Sequence, residues 1–231
     1  MNEIVSNTAL RQYERDGFTV FRNVIDPDLV AEAREHVQWL QRRYPSIRPE
    51  HFHHPLMRDD AFWVGLVTDE RILNVVERFL GPDIACFTSH YICKPPHDGK
   101  AVLWHQDGAY WNLEPVEALT VWVAIDDCDA ENGCLRMIPE THRGAIRDIV
   151  PRRDVENMLY SSIDPLFVDA VPIELRAGDV SVHHPLIIHG SDSNISRRHV
   201  AVPFGRTTGL QARSPVGFPH NIQIAGPMVA L

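Results

Sequence analysis

A histidine and an aspartate, separated by one residue, lie in the stretch WHQDGAYW between Trp104 and Trp111. In an extended segment, residues i and i+2 point to the same side, so His105 and Asp107 can reach one point where a strand enters a loop. An imidazole and a carboxylate would supply two ligands of a metal site. The pattern alone is weak, because a hydrogen-bonded histidine at a strand end is the commoner structure.

A third donor follows in GDVSVHHPLIIHG, residues 178–190. His189 ends an apolar run there, and two histidines with one carboxylate form the facial triad that holds non-haem Fe(II) with open positions. A co-substrate can chelate through two of these positions and O2 can take another. The adjacent Arg197 and Arg198 follow, and a guanidinium binds both oxygens of a carboxylate in one plane. Because the two arginines follow a triad histidine in the sequence, we interpret them as a binding site for a carboxylate rather than as a solvated strand edge.

The elements that must position these residues change type along the chain. The first third is predicted to be helical, with one helix starting at Asp26-Pro27 and a second running from Asp69 to a stop at Gly81-Pro82. Short β-rich runs with turn residues between them follow. These runs cover 84–93, 101–106, 117–126, 133–138, 168–175, 179–189 and 198–205. The order predicts a mainly β sandwich or barrel with helices packed outside.

Composition limits the class of protein and its partners. With 231 residues, of which 44% are hydrophobic, the chain can bury one sizeable core, so a single domain is the default. The formal charge of -9 argues against a nucleic-acid or anionic-membrane partner and favours a small-molecule substrate. Four cysteines without a C-x-x-C pair, and the lack of a signal-peptide pattern, lead us to expect a cytoplasmic protein. The sequence leaves the oligomeric state open.

The chain resembles the phytanoyl-CoA hydroxylase family of Fe(II)/2-oxoglutarate dioxygenases over most of its length. The resemblance is carried by YERDGFTVFRNVIDPDLV, ICKPP, WHQD, VWVAIDDCDAENGCLRMIPETHRG, GDVSVHHPLIIHGSDSN and the arginine pair. It implies a double-stranded β-helix, a cupin-like jelly roll, with the metal at its open mouth. Within one domain over 1–231, we expect a helical region to about 82, the jelly roll over about 83–206, and a short tail.

The resemblance also implies roles for residues that match the family's motifs. His105, Asp107 and His189 match the iron ligands. Arg197 matches the partner of the distal carboxylate of 2-oxoglutarate, with Arg198 as the alternative if the register differs by one.

Other matching positions line the co-substrate pocket in similar proteins. Ser191 and Trp122 occupy two of them, although core packing is an equally good account of Trp122. Thr120 shares the face of Trp122 by strand alternation and can add a hydroxyl. His183 stands where the family usually has an aromatic residue, and no role is assigned to it.

Substrate contacts are less well indicated. The candidates are the aromatic residues that flank the ligand pair, and a histidine on the preceding strand; packing is the alternative for each. These candidates are Trp104, Tyr110, Trp111 and His90. The long segment 145–165 is a possible lid or a solvated loop.

The implied activity is hydroxylation of an unactivated C–H of a small organic molecule, with 2-oxoglutarate and O2 converted to succinate and CO2. Related halogenases have Ala or Gly at the position of Asp107, so an aspartate there favours hydroxylation over chloride transfer. Desaturation, epimerisation and ring formation use the same triad and stay open. Outside catalysis, the rival hypothesis is a ligand-binding jelly roll without turnover. A cupin-type metalloenzyme that uses no 2-oxoglutarate is disfavoured by the arginine pair.

Overall fold

The helices of the computed structural model lie at the N-terminal end of the chain. The structure describes residues 7–53, 56, 60–111, 116–152, 161–163, 170–198 and 200–209. The described helices are α1 (Asn7–Asp16), α2 (Pro27–Arg43), α3 (Ala61–Val67) and α4 (Glu70–Leu80). None of these helices is long and apolar enough to cross a membrane.

Capping residues explain where the two predicted helices begin and end. The Asp26 carboxylate accepts a hydrogen bond from the Leu29 backbone N–H at 2.9 Å, and Pro27 occupies the first helical position. Helix α4 begins after Asp69 and ends at Gly81, whose φ of 80° suits a residue without a Cβ. Both helices therefore confirm the prediction from the sequence.

The strands form two main antiparallel sheets and one short hairpin. The strands are β1 (Phe18–Phe21), β2 (Phe52–His53), β3 (Ile84–Lys94), β4 (Val102–His105), β5 (Ala118–Val123), β6 (Leu135–Ile138), β7 (Val150–Pro151), β8 (Ser161–Ser162), β9 (Val171–Ile173), β10 (Val180–His183), β11 (Ile188–Ser191) and β12 (Val200–Gly209). The larger sheet has the order β1-β10-β5-β12-β3-β2, the smaller has β4-β11-β6-β9, and β7 pairs with β8. Two such sheets, with helices outside, make the predicted mainly β jelly roll.

Two clusters of buried residues lie on opposite faces of the larger sheet. The outer cluster joins that sheet to the helices and includes Leu119, Val121 and Val123 from β5. The inner cluster includes Trp122 from β5 and Met137 from β6, so it lies between the sheets. This separation follows from the period of two along a strand, which sends neighbouring side chains to opposite faces.

Several details differ from the sequence prediction, and two of them affect the site. The region expected to be helical to about residue 82 contains β1, which joins the larger sheet beside β10 and places Phe18 opposite His183. The run predicted at 179–189 is two strands, β10 and β11, which belong to different sheets. A turn at 185–186 separates them, and Pro185 cannot donate a backbone hydrogen bond to a continuous strand.

Candidate active site

The two candidate histidine ligands come from neighbouring strands of the smaller sheet. β4 and β11 are antiparallel, and His105 lies directly opposite His189. Both side chains are buried, and their ring centroids are 4.1 Å apart. The pairing of these strands therefore brings together residues that are 84 positions apart in the chain.

Each imidazole is oriented by a backbone carbonyl two residues earlier. His105 Nδ1 lies 2.7 Å from the Leu103 carbonyl oxygen, and His189 Nδ1 lies 3.0 Å from the Ile187 carbonyl oxygen. Because a carbonyl only accepts, both Nδ1 atoms carry a hydrogen, which in the neutral imidazole leaves the lone pair on Nε2. This is the common way in which proteins fix the tautomer of a metal-binding histidine.

Asp107 completes a compact group of three ligand atoms. Its Oδ1 lies 3.5 Å from His105 Nε2 and 3.7 Å from His189 Nε2. All three donors lie within 4.8 Å of one another and are buried. A metal ion with bonds of about 2.1 Å fits between atoms at these separations. The donor set of two imidazoles and one carboxylate is that of the non-haem Fe(II) triad.

The charge state of His189 suits a ligand. Burial, followed by the neighbouring His105, lowers the pKa of His189 well below its usual range. The imidazole is therefore neutral near pH 7, so its lone pair is available to a metal without loss of a proton.

The second carboxylate oxygen of Asp107 is occupied by protein groups. Thr120 Oγ1 donates to Asp107 Oδ2 at 2.7 Å, and His183 Nε2 lies 3.3 Å from the same oxygen. Thr120, expected in the co-substrate pocket, thus contacts a triad residue. His183, which has no role in the sequence prediction, lies opposite Thr120 because β10 pairs with β5.

Comparison with known proteins places the chain in a family. The family model described as phytanoyl-CoA dioxygenase (PhyH) matches residues 13–200. The chain belongs to the phytanoyl-CoA dioxygenase family. The match includes the triad and every strand of the two sheets except β12, of which it reaches only Val200. The family prediction made from the sequence motifs is confirmed.

Individual relatives are more distant. The peroxisomal phytanoyl-CoA dioxygenase of Rattus norvegicus is 28% identical over 224 residues, which cover 84% of this chain and 65% of the rat protein. This chain thus spans less than two thirds of that relative's length. An ectoine dioxygenase of Bordetella parapertussis is 26% identical over 228 residues, which cover 84% of this chain and 72% of that enzyme.

A solved structure shows the same fold. The epimerase SnoN, in complex with Fe3+, alpha ketoglutarate and nogalamycin RO, superposes with a TM-score of 0.69 at 21% identity. The superposition covers 87% of this chain and 82% of SnoN. At this identity the similarity shows the fold alone, and it agrees with the jelly roll of two antiparallel sheets.

Within this family fold, a buried lysine lies next to the predicted co-substrate residue Ser191. The Lys94 side chain is 1% exposed, and its Nζ donates to Ser191 Oγ at 2.6 Å and to the Gly133 carbonyl at 3.1 Å. It also donates to the Asp192 carbonyl. Burial lowers the pKa of Lys94 to about 8. Sequence reasoning missed Lys94, although a lysine two residues after Ile92 on a strand with one apolar face was a usable signal.

Both predicted arginines are exposed in the structure. The Arg198 side chain is 45% exposed, and its guanidinium donates to both carboxylate oxygens of Asp129 at 2.7 and 2.8 Å. Lys94 is therefore the cation beside Ser191 in the structure. The expected contact of Arg197 or Arg198 with the distal carboxylate of 2-oxoglutarate stays a prediction.

The predicted aromatic residues have different positions. Tyr110 is half-buried, and its ring lies edge-on to His105 at 5.9 Å between centroids. Trp111 and Trp122 are buried, the latter in the inner cluster. The side chain of His90 lies outside the described part of the structure, as do residues 153–160 and 164–165 of the predicted lid.

Trp104 lies on the opposite face of its strand from His105. A Cβ on Gly190 would be 3.3 Å from the Trp104 ring, and the Arg136 guanidinium lies over that ring at 6.0 Å. Gly190 and Arg136 pair directly, next to the inward-facing His189 and Met137. Strand alternation therefore turns Trp104 away from the triad, and its contact with a substrate stays a prediction.

Gln106, between the two ligands, connects the site to the segment after β6. Its amide nitrogen donates to the Leu186 carbonyl at 2.7 Å, and its amide oxygen accepts from the Arg147 backbone N–H at 2.8 Å. The side chain is fully buried. Gln106 thus ties the turn before β11 and the start of the 145–165 segment to the ligand pair.

Proposed function

We propose that the chain is an Fe(II)/2-oxoglutarate-dependent dioxygenase that hydroxylates a small organic molecule. The observation that carries this proposal is the convergence of His105 Nε2, His189 Nε2 and Asp107 Oδ1 at one buried point. Membership of the phytanoyl-CoA dioxygenase family supports it, since relatives in that family are named dioxygenases.

The three residues would hold Fe(II) on one side and leave the positions towards the pocket open. When bound, the iron supplies the activation of O2 that organic side chains cannot perform. The chain supplies two imidazoles oriented by the carbonyls of Leu103 and Ile187, and a carboxylate with one oxygen turned to the metal position. Its contribution is orientation and exclusion of water at a buried site.

Lys94 and Ser191 would bind the distal carboxylate of 2-oxoglutarate. Ser191 lies two residues after His189 on the same face of β11, about 7 Å further along the strand. A five-carbon dicarboxylate that reaches from the metal along β11 would bring its far end to Lys94 Nζ. The described hydrogen-bond acceptors of Lys94 Nζ are neutral oxygens, while the Asp192 and Glu50 carboxylates act on it without a direct hydrogen bond. A bound carboxylate would add a direct ion pair to this buried ammonium group.

The proposed reaction balances as a coupled oxidation. 2-Oxoglutarate loses CO2 and becomes succinate with one oxygen atom of O2, and the other atom is inserted into a C–H bond of the substrate. Tyr110, at the edge of the triad, is the aromatic residue best placed to face the substrate.

Epimerisation is a second reaction that the same site could perform. The superposed SnoN is an epimerase, so stereochemical inversion of a C–H centre is the alternative to hydroxylation. Both start with hydrogen removal from carbon, and they differ in whether oxygen enters the product. The non-catalytic alternative, a ligand-binding jelly roll, predicts no succinate at all.

Turnover with a panel of small organic molecules tests these alternatives. Succinate and O2 uptake are measured with native protein and with Asp107→Ala, and products are analysed by mass in 18O2. Succinate formation that depends on Asp107, with 18O in the product, supports hydroxylation. An unlabelled isomer supports epimerisation. No succinate above the Asp107→Ala background, with or without any substrate, would contradict a dioxygenase.

A further inference from the structure

A third histidine lies beside the triad and is not among its ligands. His183 is fully buried on the inner face of β10. Its neighbours across the sheet are Phe18 on β1 and Thr120 on β5. Strands on both sides therefore hold its backbone, and the ring has little freedom to move away from the site.

The carboxylate of Asp107 divides its two oxygens between different neighbours. Oδ1 faces the Nε2 atoms of His105 and His189, at 3.5 and 3.7 Å. Oδ2 accepts from Thr120 Oγ1 at 2.7 Å and lies 3.3 Å from His183 Nε2. One oxygen thus points to the metal position and the other points to a pair of protein groups.

The chemistry of these partners fixes the direction of the hydrogen bond from His183. An ionised carboxylate only accepts, so His183 Nε2 carries the hydrogen, in contrast to the two ligand histidines, which carry theirs on Nδ1. The His183 ring also lies 4.6 Å from the His189 ring, centroid to centroid, at 56°. His183 therefore touches two of the three members of the triad.

We propose that His183 is a positioning residue which, together with Thr120, fixes the Asp107 carboxylate so that only Oδ1 can reach the metal. A carboxylate free to rotate can bind a metal through both oxygens, which would take up a coordination position that the co-substrate or O2 needs. Two donors from adjacent strands that hold Oδ2 prevent that rotation. This inference rests on the metal site of the proposed function and adds His183 to the residues that orient the ligands of that site.

Cobalt(II) binding to the folded protein tests the proposal without catalysis. Co(II) affinity and the visible Co(II) absorption spectrum are measured for native protein, His183→Phe, His183→Gln and Thr120→Val. Loss of a group that supports a metal ligand costs about 10- to 100-fold in affinity, so His183→Phe and Thr120→Val should each fall in that range and alter the spectrum. His183→Gln, whose amide can still donate, should recover part of the affinity.

Ser181→Ala is the matched control. Ser181 is equally buried, lies two residues earlier on the same face of β10, and pairs with Trp122 instead of Thr120. Its replacement should leave the Co(II) affinity and spectrum as in native protein. If His183→Phe also keeps both, His183 only fills space and the proposal is overturned. If native protein itself binds no Co(II), the proposed metal site fails instead.

A measurement on native protein covers the case in which His183→Phe does not fold. With Zn(II) as a diamagnetic substitute, long-range proton–nitrogen NMR of labelled histidines reports the tautomer of each ring. We expect His183 to carry hydrogen on Nε2 and both ligand histidines to carry it on Nδ1. A neutral His183 with hydrogen only on Nδ1 would overturn the proposal.

Discussion

The two faces of the larger sheet have different chemistry although both are buried. On β5, Leu119, Val121 and Val123 pack towards the helices, whereas Thr120 and Trp122 face the smaller sheet. The outward residues contribute apolar area, and Thr120 places a hydroxyl against the triad. Substitutions one residue apart on this strand should therefore separate stability from ligand binding.

The largest expected effect is on the inner side, from Asp107→Ala. The substitution removes one of three metal ligands, so the loss of metal affinity should exceed the ~10- to 100-fold typical of a supporting residue. Metal content after equilibration with Fe(II) without oxygen measures this, with thermal unfolding to show that the variant is folded. A folded variant with native metal content would show that Asp107 is not a ligand.

The outer side is tested by Leu119→Ala. Leu119 is fully buried in the outer cluster, so the free energy of unfolding should fall by about 2–5 kcal/mol. Urea denaturation measures this change. The metal affinity of the folded fraction should stay native, because Leu119 points away from the triad. If Leu119→Ala lost as much metal affinity as Thr120→Val, the two faces of the sheet would not differ in function.

A smaller effect is expected from Lys94→Met, which removes the cation but keeps much of the side-chain volume. A hydrogen bond to a charged group contributes about 1.5–3 kcal/mol, so 2-oxoglutarate should bind roughly 10- to 100-fold more weakly. Fe(II) affinity should be unchanged. Arg197→Ala is the control, since Arg197 is exposed. If instead Arg197→Ala bound 2-oxoglutarate weakly and Lys94→Met bound it with native affinity, Arg197 would be the residue that contacts the carboxylate.

The smallest effect is a dependence on pH. The pKa of Lys94 is lowered by burial from 10.5 to about 8, so the side chain is charged below that pH and neutral above it. Binding of 2-oxoglutarate should weaken as pH rises through about 8, while Lys94→Met shows no such decline. Between pH 8 and 10.5 the unfolded chain holds a proton that the folded chain lacks, so this residue makes the protein more stable as pH rises. Calorimetric titration across this pH range measures the affinity for 2-oxoglutarate. An equal decline of this affinity with pH in native protein and in Lys94→Met would contradict the role of Lys94.

Local patterns in the sequence predicted the two helices and the strand that carries His105, whereas the run predicted at 179–189 is two strands. Asp26 and Gly81 act within a few residues, so their local pattern was sufficient, whereas the H-x-D pair needed the distant His189 to indicate a metal site. Lys94 and His183 were missed because their neighbours Ser191 and Thr120 belong to strands that are distant in the sequence. Strand β1 was missed because FTVF is short and lies between two helices. The roles of the site residues stay predictions.

Anaerobic titration with Fe(II) and 2-oxoglutarate tests the central claim most directly. We expect a weak visible absorption band, typical of 2-oxoglutarate chelated to Fe(II), that saturates at one Fe(II) per chain. Lys94→Met should need more 2-oxoglutarate to reach the same band, and Asp107→Ala should give none. Native protein that gives no band and shows no affinity for 2-oxoglutarate would contradict the account.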